Sequence, residues 1–372
     1  MSPPLAERNT GDIIPAADHN DVKDYIEDGT YRVKTLFLLA TPTTTANKPV
    51  AAQGNLYFDS DLDRFQICQD GSNYNDVGGY QPTYVVKTGG TVGVDCTHTT
   101  IASAISDAQT GLKRIYIRNG TYAETLTINW SGVTLEGESK LGAIIQPSSG
   151  VIINIRATGI TIKNLTLDGS GESGWPVTID ATTSNDFSNL LVQDCVIKGI
   201  YNCFEIVPNN VAITNIKIIN NYLQGYYNDA GQAIEIYTLG SATMKDIWIE
   251  NNTMVKTGLT GTNHFGIGMF GYGSHIERVY ITNNTFKFDC ASSKQIVMDF
   301  RTTNPATLSK IMIVGNNIDV TGATTNYCIR LGAGTLDAIN LVGNYIKCDA
   351  GYVVDYGAGT YTNIEQSGNI IV

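Results

Sequence analysis

Charge is scarce in this chain: 16% of its 372 residues are Asp, Glu, Lys or Arg, where an average soluble domain carries about a quarter. Cations are the scarcer half, 24 Lys and Arg against 35 Asp and Glu. A formal net charge of −11 leaves no basic footprint for nucleic acid. Long apolar runs are missing too, so no membrane insertion is expected. The opening Met1-Ser2-Pro3-Pro4-Leu5-Ala6-Glu7-Arg8 has no apolar signal-peptide core, which points to folding in a cytoplasm whatever the final destination. The seven cysteines (68, 96, 195, 203, 290, 328, 348) include no Cys-x-x-Cys pair, and several fall on inward strand positions. Buried free thiols are favoured over disulfides or metal ligation. His19, His98, His264 and His275 have no nearby Cys or His partner, and neither a phosphate loop nor a serine elbow occurs. No metal and no cofactor is expected.

Helical spacing is also wanting beyond Ile216, and a returning phrase stands in its place. It reads Ile-Ile-Asn-Asn-Tyr at 218–222, Ile-Glu-Asn-Asn-Thr at 249–253 and Ile-Thr-Asn-Asn-Thr at 281–285, with weaker copies at 313–317, 341–345 and 366–370. The second Asn falls at Asn221, Asn252, Asn284, Asn316, Asn344 and Asn369, in steps of 31, 32, 32, 28 and 25 residues. Cys195 and Leu165 hold the equivalent slot earlier. A period of this length signals a solenoid. Each period holds three short β-branched runs, such as Ile247-Trp248-Ile249, Thr285-Phe286-Lys287-Phe288 and Gln295-Ile296-Val297-Met298, joined by Gly, Asn and Thr turns. Three strands per period make a triangular coil. Asn suits the corner because it tolerates the left-handed backbone, and its amide can bond the next Asn one strand away, forming a ladder.

This pattern strongly resembles the right-handed parallel β-helix of pectate lyases, glycoside hydrolases and phage tailspikes. Upstream, a helix over Thr99–Gln109 and the run Ile117-Arg118-Asn119-Gly120-Thr121-Tyr122-Ala123-Glu124 resemble the start of pectin-esterase and pectate-lyase-like β-helices. There the helix would close a first coil whose bare edge could template aggregation. The expected fold class is therefore all-β: a parallel β-helix of about eight or nine coils with an N-terminal capping helix.

Three segments are expected. Residues 1–40 read as an attachment and oligomerisation segment, with a helix from Asp18 to Gly29 and a strand over Tyr31–Leu39; the wording of 11–22 looks like the opening of many phage structural proteins. Residues 41–80 hold a Thr/Pro linker and a hairpin at 54–71 that resembles modules of phage tail fibres. Asp59, Asp61 and Asp63 only superficially match a calcium loop, since Arg64 stands where Gly is needed. Residues 81–372 are the β-helix.

A solenoid core is filled by its own side chains, so chemistry belongs on an outer face. With Ile234 and Ile236 inward, Glu235 points out, and Glu205, Gly268, Asp299, Arg330 and Asp355 should occupy the same outward column. Coils stack at about 4.8 Å. Glu205 and Glu235 would then sit near the ~5 Å of a retaining glycosidase pair, and Glu235 and Asp299 near the roughly 6.5–9.5 Å of an inverting one. Gly268 would leave a notch for a sugar ring. Stacked carboxylates raise one another's pKa, as a general acid requires. The plainer reading is an ordinary polar stripe in which Arg330 pairs with Asp299 and Asp355. Catalysis is assigned to Glu205, Glu235 and Asp299, and substrate binding to Tyr226, Tyr227, Tyr237, His264, Tyr272, Arg301 and Arg330. Polygalacturonase and pectate-lyase signatures are not met: Asn263-His264-Phe265-Gly266 is a poor Gly-His-Gly turn.

A fold typical of extracellular glycan work without a signal peptide fits a virion protein. The resemblance implies a tailspike or tail fibre, the expected partners being host-surface polysaccharide, virion or tail proteins bound by the N-terminal segment, and two further copies in a homotrimer. Binding-only adhesins and a free polysaccharide lyase or hydrolase remain alternatives.

Overall fold

The computed structural model describes strand residues 56–59, 64–68 and 74–76, then residue 83 to Val372 without 94–95, 112, 149, 170–176, 182–185, 200–201, 226–231, 258–261, 274, 290–293, 304–305, 322–325 and 349–350. The chain divides into two compact units, one of Met1–Pro82 with Gly90–Thr97, the other of Thr83–Gly89 with His98–Val372. In the first, Leu56–Asp59 pairs antiparallel with Arg64–Cys68, as a hairpin would, and Tyr74–Asp76 adds a third antiparallel strand. The expected helix and strand before residue 40, the linker and the Asp61–Asp63 turn lie outside the described residues.

The second unit is a parallel β-solenoid. Its strands form three all-parallel sheets of nine, ten and eleven strands, and successive strands of the chain pass from sheet to sheet. Inward positions are Ile, Leu, Val, Met and Phe closed to solvent, for example Ile234, Ile236, Ile247, Ile249, Phe286 and Phe288. At the start, α1 (Ile101–Asp107) is shorter than the sequence suggests, with Thr100 as N-cap and Ile101, Ala104 and Ile105 buried. Glu124 accepts from the amides of Ile101 (3.0 Å) and Ala102 (2.9 Å), and Tyr122 Oη donates to the carbonyls of Arg118 (2.8 Å) and Val86 (3.2 Å). The run 117–124 is thus a clasp that fixes the helix over the first coil.

The recurring Asn-Asn phrase divides its labour. Its first residue carries the left-handed backbone: Asn220, Asn251 and Asn283 have φ of 58°, 54° and 55°, and glycine takes the slot at Gly315, Gly343 and Gly368. Its second residue turns inward. Asn252 donates through Nδ2 to Asn284 Oδ1 (3.0 Å) and Ile218 O (2.8 Å), while its backbone N–H reaches the same Asn284 Oδ1 (2.9 Å). Matching amide bonds join Asn221 to Asn252, Asn284 to Asn316, Asn316 to Asn344 and Asn344 to Asn369. Burying these amides is tolerable because each is met on both sides. Among the thiols, Cys195, Cys203 and Cys328 are free and buried, Cys96 is buried and Cys348 half-buried. Burial pushes Cys195 and Cys203 up to about 12.

Candidate functional site

The nine-stranded sheet carries the acidic column. Glu205 lies opposite Glu235, Glu235 opposite Gly268, Gly268 opposite Asp299, Asp299 opposite Arg330 and Arg330 opposite Asp355. The column also runs the other way, through Thr178 to Asn154. The alternation of Phe204–Pro208 and Ile234–Thr238 produces this: Phe204, Ile206, Ile234 and Ile236 fill the core, so the glutamates between them lie on the other side of the sheet.

The two glutamates stand one strand step apart, roughly 4.8 Å between chains. Glu205 is only 7% exposed, and its Oε2 has no hydrogen-bond partner. Burial first, and the Glu235 charge second, raise its pKa to about 7. Glu235 is raised by burial as well, but a donated hydrogen bond from Asn202 Nδ2 (2.5 Å to Oε2) favours its charged form. Asn202 is itself held, its Oδ1 accepting from the Gln232 backbone N–H at 2.6 Å. The pair is therefore unequal: burial raises both carboxyls, but only Glu235 has a donor that favours its charged form.

The rest of the expected set is distributed differently. Asp299 is 1% exposed and bonded through both oxygens to Arg301, Nε–Oδ1 being 3.0 Å. Arg301 also lies 5.0 Å over the Phe270 ring. Arg330 faces Asp355 (Nε–Oδ2 3.7 Å) rather than bridging two aspartates. The expected notch at Gly268 is filled: a Cβ there would come within 2.7 Å of the Phe270 ring and 2.9 Å of Gln232 Cγ. Tyr237 and Tyr272 do meet, ring centroids 4.9 Å apart, with Tyr272 39% exposed. His264 lies opposite Ile296, just ahead of a register shift between His264 and Ile267. Tyr226 and Tyr227 lie outside the described residues. Asn202 and Gln232, which the sequence reading missed, occupy the same slot two residues ahead of the strand in consecutive coils; that coincidence was the available signal. Among the described residues no group of three His, Cys, Asp or Glu could hold a metal ion.

No protein-family model matches the sequence, and no curated protein matches it. Among solved structures, the chain is similar to a pectin methylesterase from Aspergillus niger, with 14% identity over 78% of this chain and 87% of that one and a TM-score of 0.39. It is similar to pectin methylesterase PemA from Erwinia chrysanthemi, with 15% identity over 64% and 80% and a TM-score of 0.38. It is also similar to ORF18 of Geobacillus virus E2, with 14% identity over 87% and 71% and a TM-score of 0.34. Values this low carry no activity across to this chain.

Proposed function

We propose that the nine-stranded face binds a polysaccharide and that Glu205 and Glu235 hydrolyse a glycosidic bond on it. The observation that carries this reading is the unequal pair: two glutamates in register on adjacent coils, one with a pKa of about 7 and an unmet oxygen, the other held by an amide donor. A one-step separation suits the retaining route, whose carboxyls stand about 5–5.5 Å apart. Glu235 attacks the anomeric carbon as the Glu205 proton passes to the departing glycosidic oxygen. Glu205 then takes a proton from water, whose oxygen displaces Glu235 from the sugar. Asp299, bound to Arg301, holds that guanidinium over Phe270 rather than serving as a base.

A binding-only face is the second reading, favoured by the closure of Glu205 Oε2 to solvent. The two separate on Glu235→Gln. Under hydrolysis, reducing-end release from polysaccharide falls about a hundredfold or more while binding persists. If the parent chain binds polysaccharide and releases no reducing ends, the binding-only reading stands and hydrolysis is overturned.

The wider setting belongs to the same proposal. The phage-like wording of residues 11–22 and 54–71 supports a virion spike or tail fibre whose first segment attaches to tail proteins, acting outside the cell on host-surface glycan as a homotrimer. A monomeric mass in solution at micromolar concentration would remove the trimer and favour a free hydrolase or lyase.

A further inference from the structure

Three cysteines gather at one kind of corner, where the ten-stranded sheet hands the chain to the nine-stranded sheet. Cys203 precedes Phe204 and Cys328 precedes Ile329, and Phe204, Ile234, Ile267, Met298 and Ile329 follow one another across the nine-stranded sheet. The two cysteines therefore fill the same slot four coils apart, and both are closed to solvent. On the ten-stranded sheet a second column runs Gly199, Gly225, Lys256, Phe288, Val320, Cys348. Register decides how the two columns meet. Cys203 shares a coil with Gly199, so the next coil offers it Gly225, which has no side chain. Its thiol donates instead to the carbonyl of Gln224, one residue earlier, at 3.5 Å. Cys328 shares a coil with Val320, so the next coil offers it Cys348.

The side chains of Cys328 and Cys348 are indeed in hydrogen-bond contact. Cys328 is a member of the core cluster and Cys348 packs against its edge, half-buried. The neighbouring thiol first, and burial second, push the Cys328 thiol upward, so Cys348 is the one that meets a reagent. The closing turn of the solenoid begins three residues after Cys348, at Gly351–Tyr356, and continues through Gly359–Ser367 and Ile370–Ile371. These are the terminal strands of the three sheets, each paired on one edge only. Their apolar residues are poorly covered: Val353, Val354 and Ile364 are half-buried, and Ile370 and Ile371 are 60% exposed. A crosslink at residue 348 acts where the stack has least to hold it.

We infer that Cys328 and Cys348 are a thiol pair that closes to a disulfide, stapling the entry of the closing turn to the coil before it. The oxidant is a small-molecule disulfide, RS–SR. The Cys348 thiolate attacks one of its sulfurs, and the departing RS⁻ takes up a proton. The Cys328 sulfur, losing its proton, then attacks Cys348 Sγ and expels the second RS⁻, which is protonated likewise. Two protein thiols are oxidised to one disulfide while one RS–SR is reduced to two RSH. In a reducing cytoplasm the pair stays open, and in an oxidising compartment it closes.

The test equilibrates the full chain with oxidised glutathione, caps remaining thiols by alkylation and digests with trypsin. Cleavage leaves Cys328 in 311–330 and Cys348 in 348–372, one cysteine in each. The expected product is these two peptides linked, two hydrogens lighter than their sum and separated by reduction. Hydrogen exchange of the amides of 351–371 slows about tenfold in the oxidised chain. Cys328→Ala places there the residue that precedes Ile234 in an earlier coil, Ala233, so the fold accommodates it. In that variant Cys348 retains glutathione as a mixed disulfide, whereas in Cys348→Ala the buried Cys328 takes up none. Failure of the linked peptides to form at any glutathione ratio, or glutathione added as readily at Cys328 as at Cys348, overturns the inference. So does exchange over 351–371 that oxidation leaves unchanged.

Discussion

Two columns of polar residues run along this solenoid, and they differ in whether their members satisfy one another. At the Asn corner every amide from Asn221 to Asn344 donates to the next coil's oxygen and is 2% exposed or less. On the nine-stranded face Glu205 meets Glu235, Glu235 meets a glycine, and orphaned atoms result. Stacking is the same device in both places. An amide carries donor and acceptor, so identical neighbours complement each other; ionised carboxylates only accept, so identical neighbours repel. Repetition therefore stabilises the first column and leaves the second with polar atoms that its neighbours do not satisfy.

The contrast can be broken most forcefully at the corner. Asn284→Leu strips the acceptor from both the N–H and the Nδ2 of buried Asn252, and denaturant unfolding should show a loss of about 2–6 kcal/mol. On the acid face the effect is smaller and has the opposite sign. Glu205 holds its proton up to about pH 7 in the folded chain, against about 4.3 when unfolded. Between those values the folded state binds more protons, so stability falls as pH rises and levels off above about 7, by up to ~4 kcal/mol. Glu205→Gln should remove Glu205's share of that fall and leave the part due to Glu235, which burial also raises, so the variant is as stable as the parent near pH 4 and more stable near pH 8 in parallel melts. A stability difference independent of pH would remove the buried, proton-holding Glu205 from the account. The smallest effect sharpens the corner itself: Asn251→Gly, next door to a ladder amide, supplies a residue made for φ of 54°. It should shift stability by less than about 0.5 kcal/mol, as neighbouring coils with Gly315 and Gly343 imply. A large loss there would mean that both asparagines of the phrase bear the ladder.

Much of this was legible beforehand, and the reason is geometric. A period near 31 residues fixes which coil meets which, and strict alternation fixes which side chains face out, so the order Glu205, Glu235, Gly268, Asp299, Arg330 follows from the letters alone. What escaped lies along the strand rather than across it. Residues two apart share a face about 6.6 Å from each other, near enough for Arg301 to fold back onto Asp299 and for Phe270 to close over Gly268. Reading columns without rows produced an empty notch and a free aspartate, and the structure has neither. Asn202 and Gln232 escaped because they precede the strands, where alternation gives no guidance. The split between the two corner asparagines was hidden too, since either could have taken the left-handed slot; only the Gly-Asn copies at 315–316 and 343–344 hinted which one did.

From Asn221 to Asn369 each coil hands its successor an identical amide at the corner. A whole period gained by duplication or lost by deletion would therefore rejoin there without a scar. On the acid face the same splice would change who stands beside Glu235. The corner tolerates a change in the number of coils, while the same crossover reorders the acidic column.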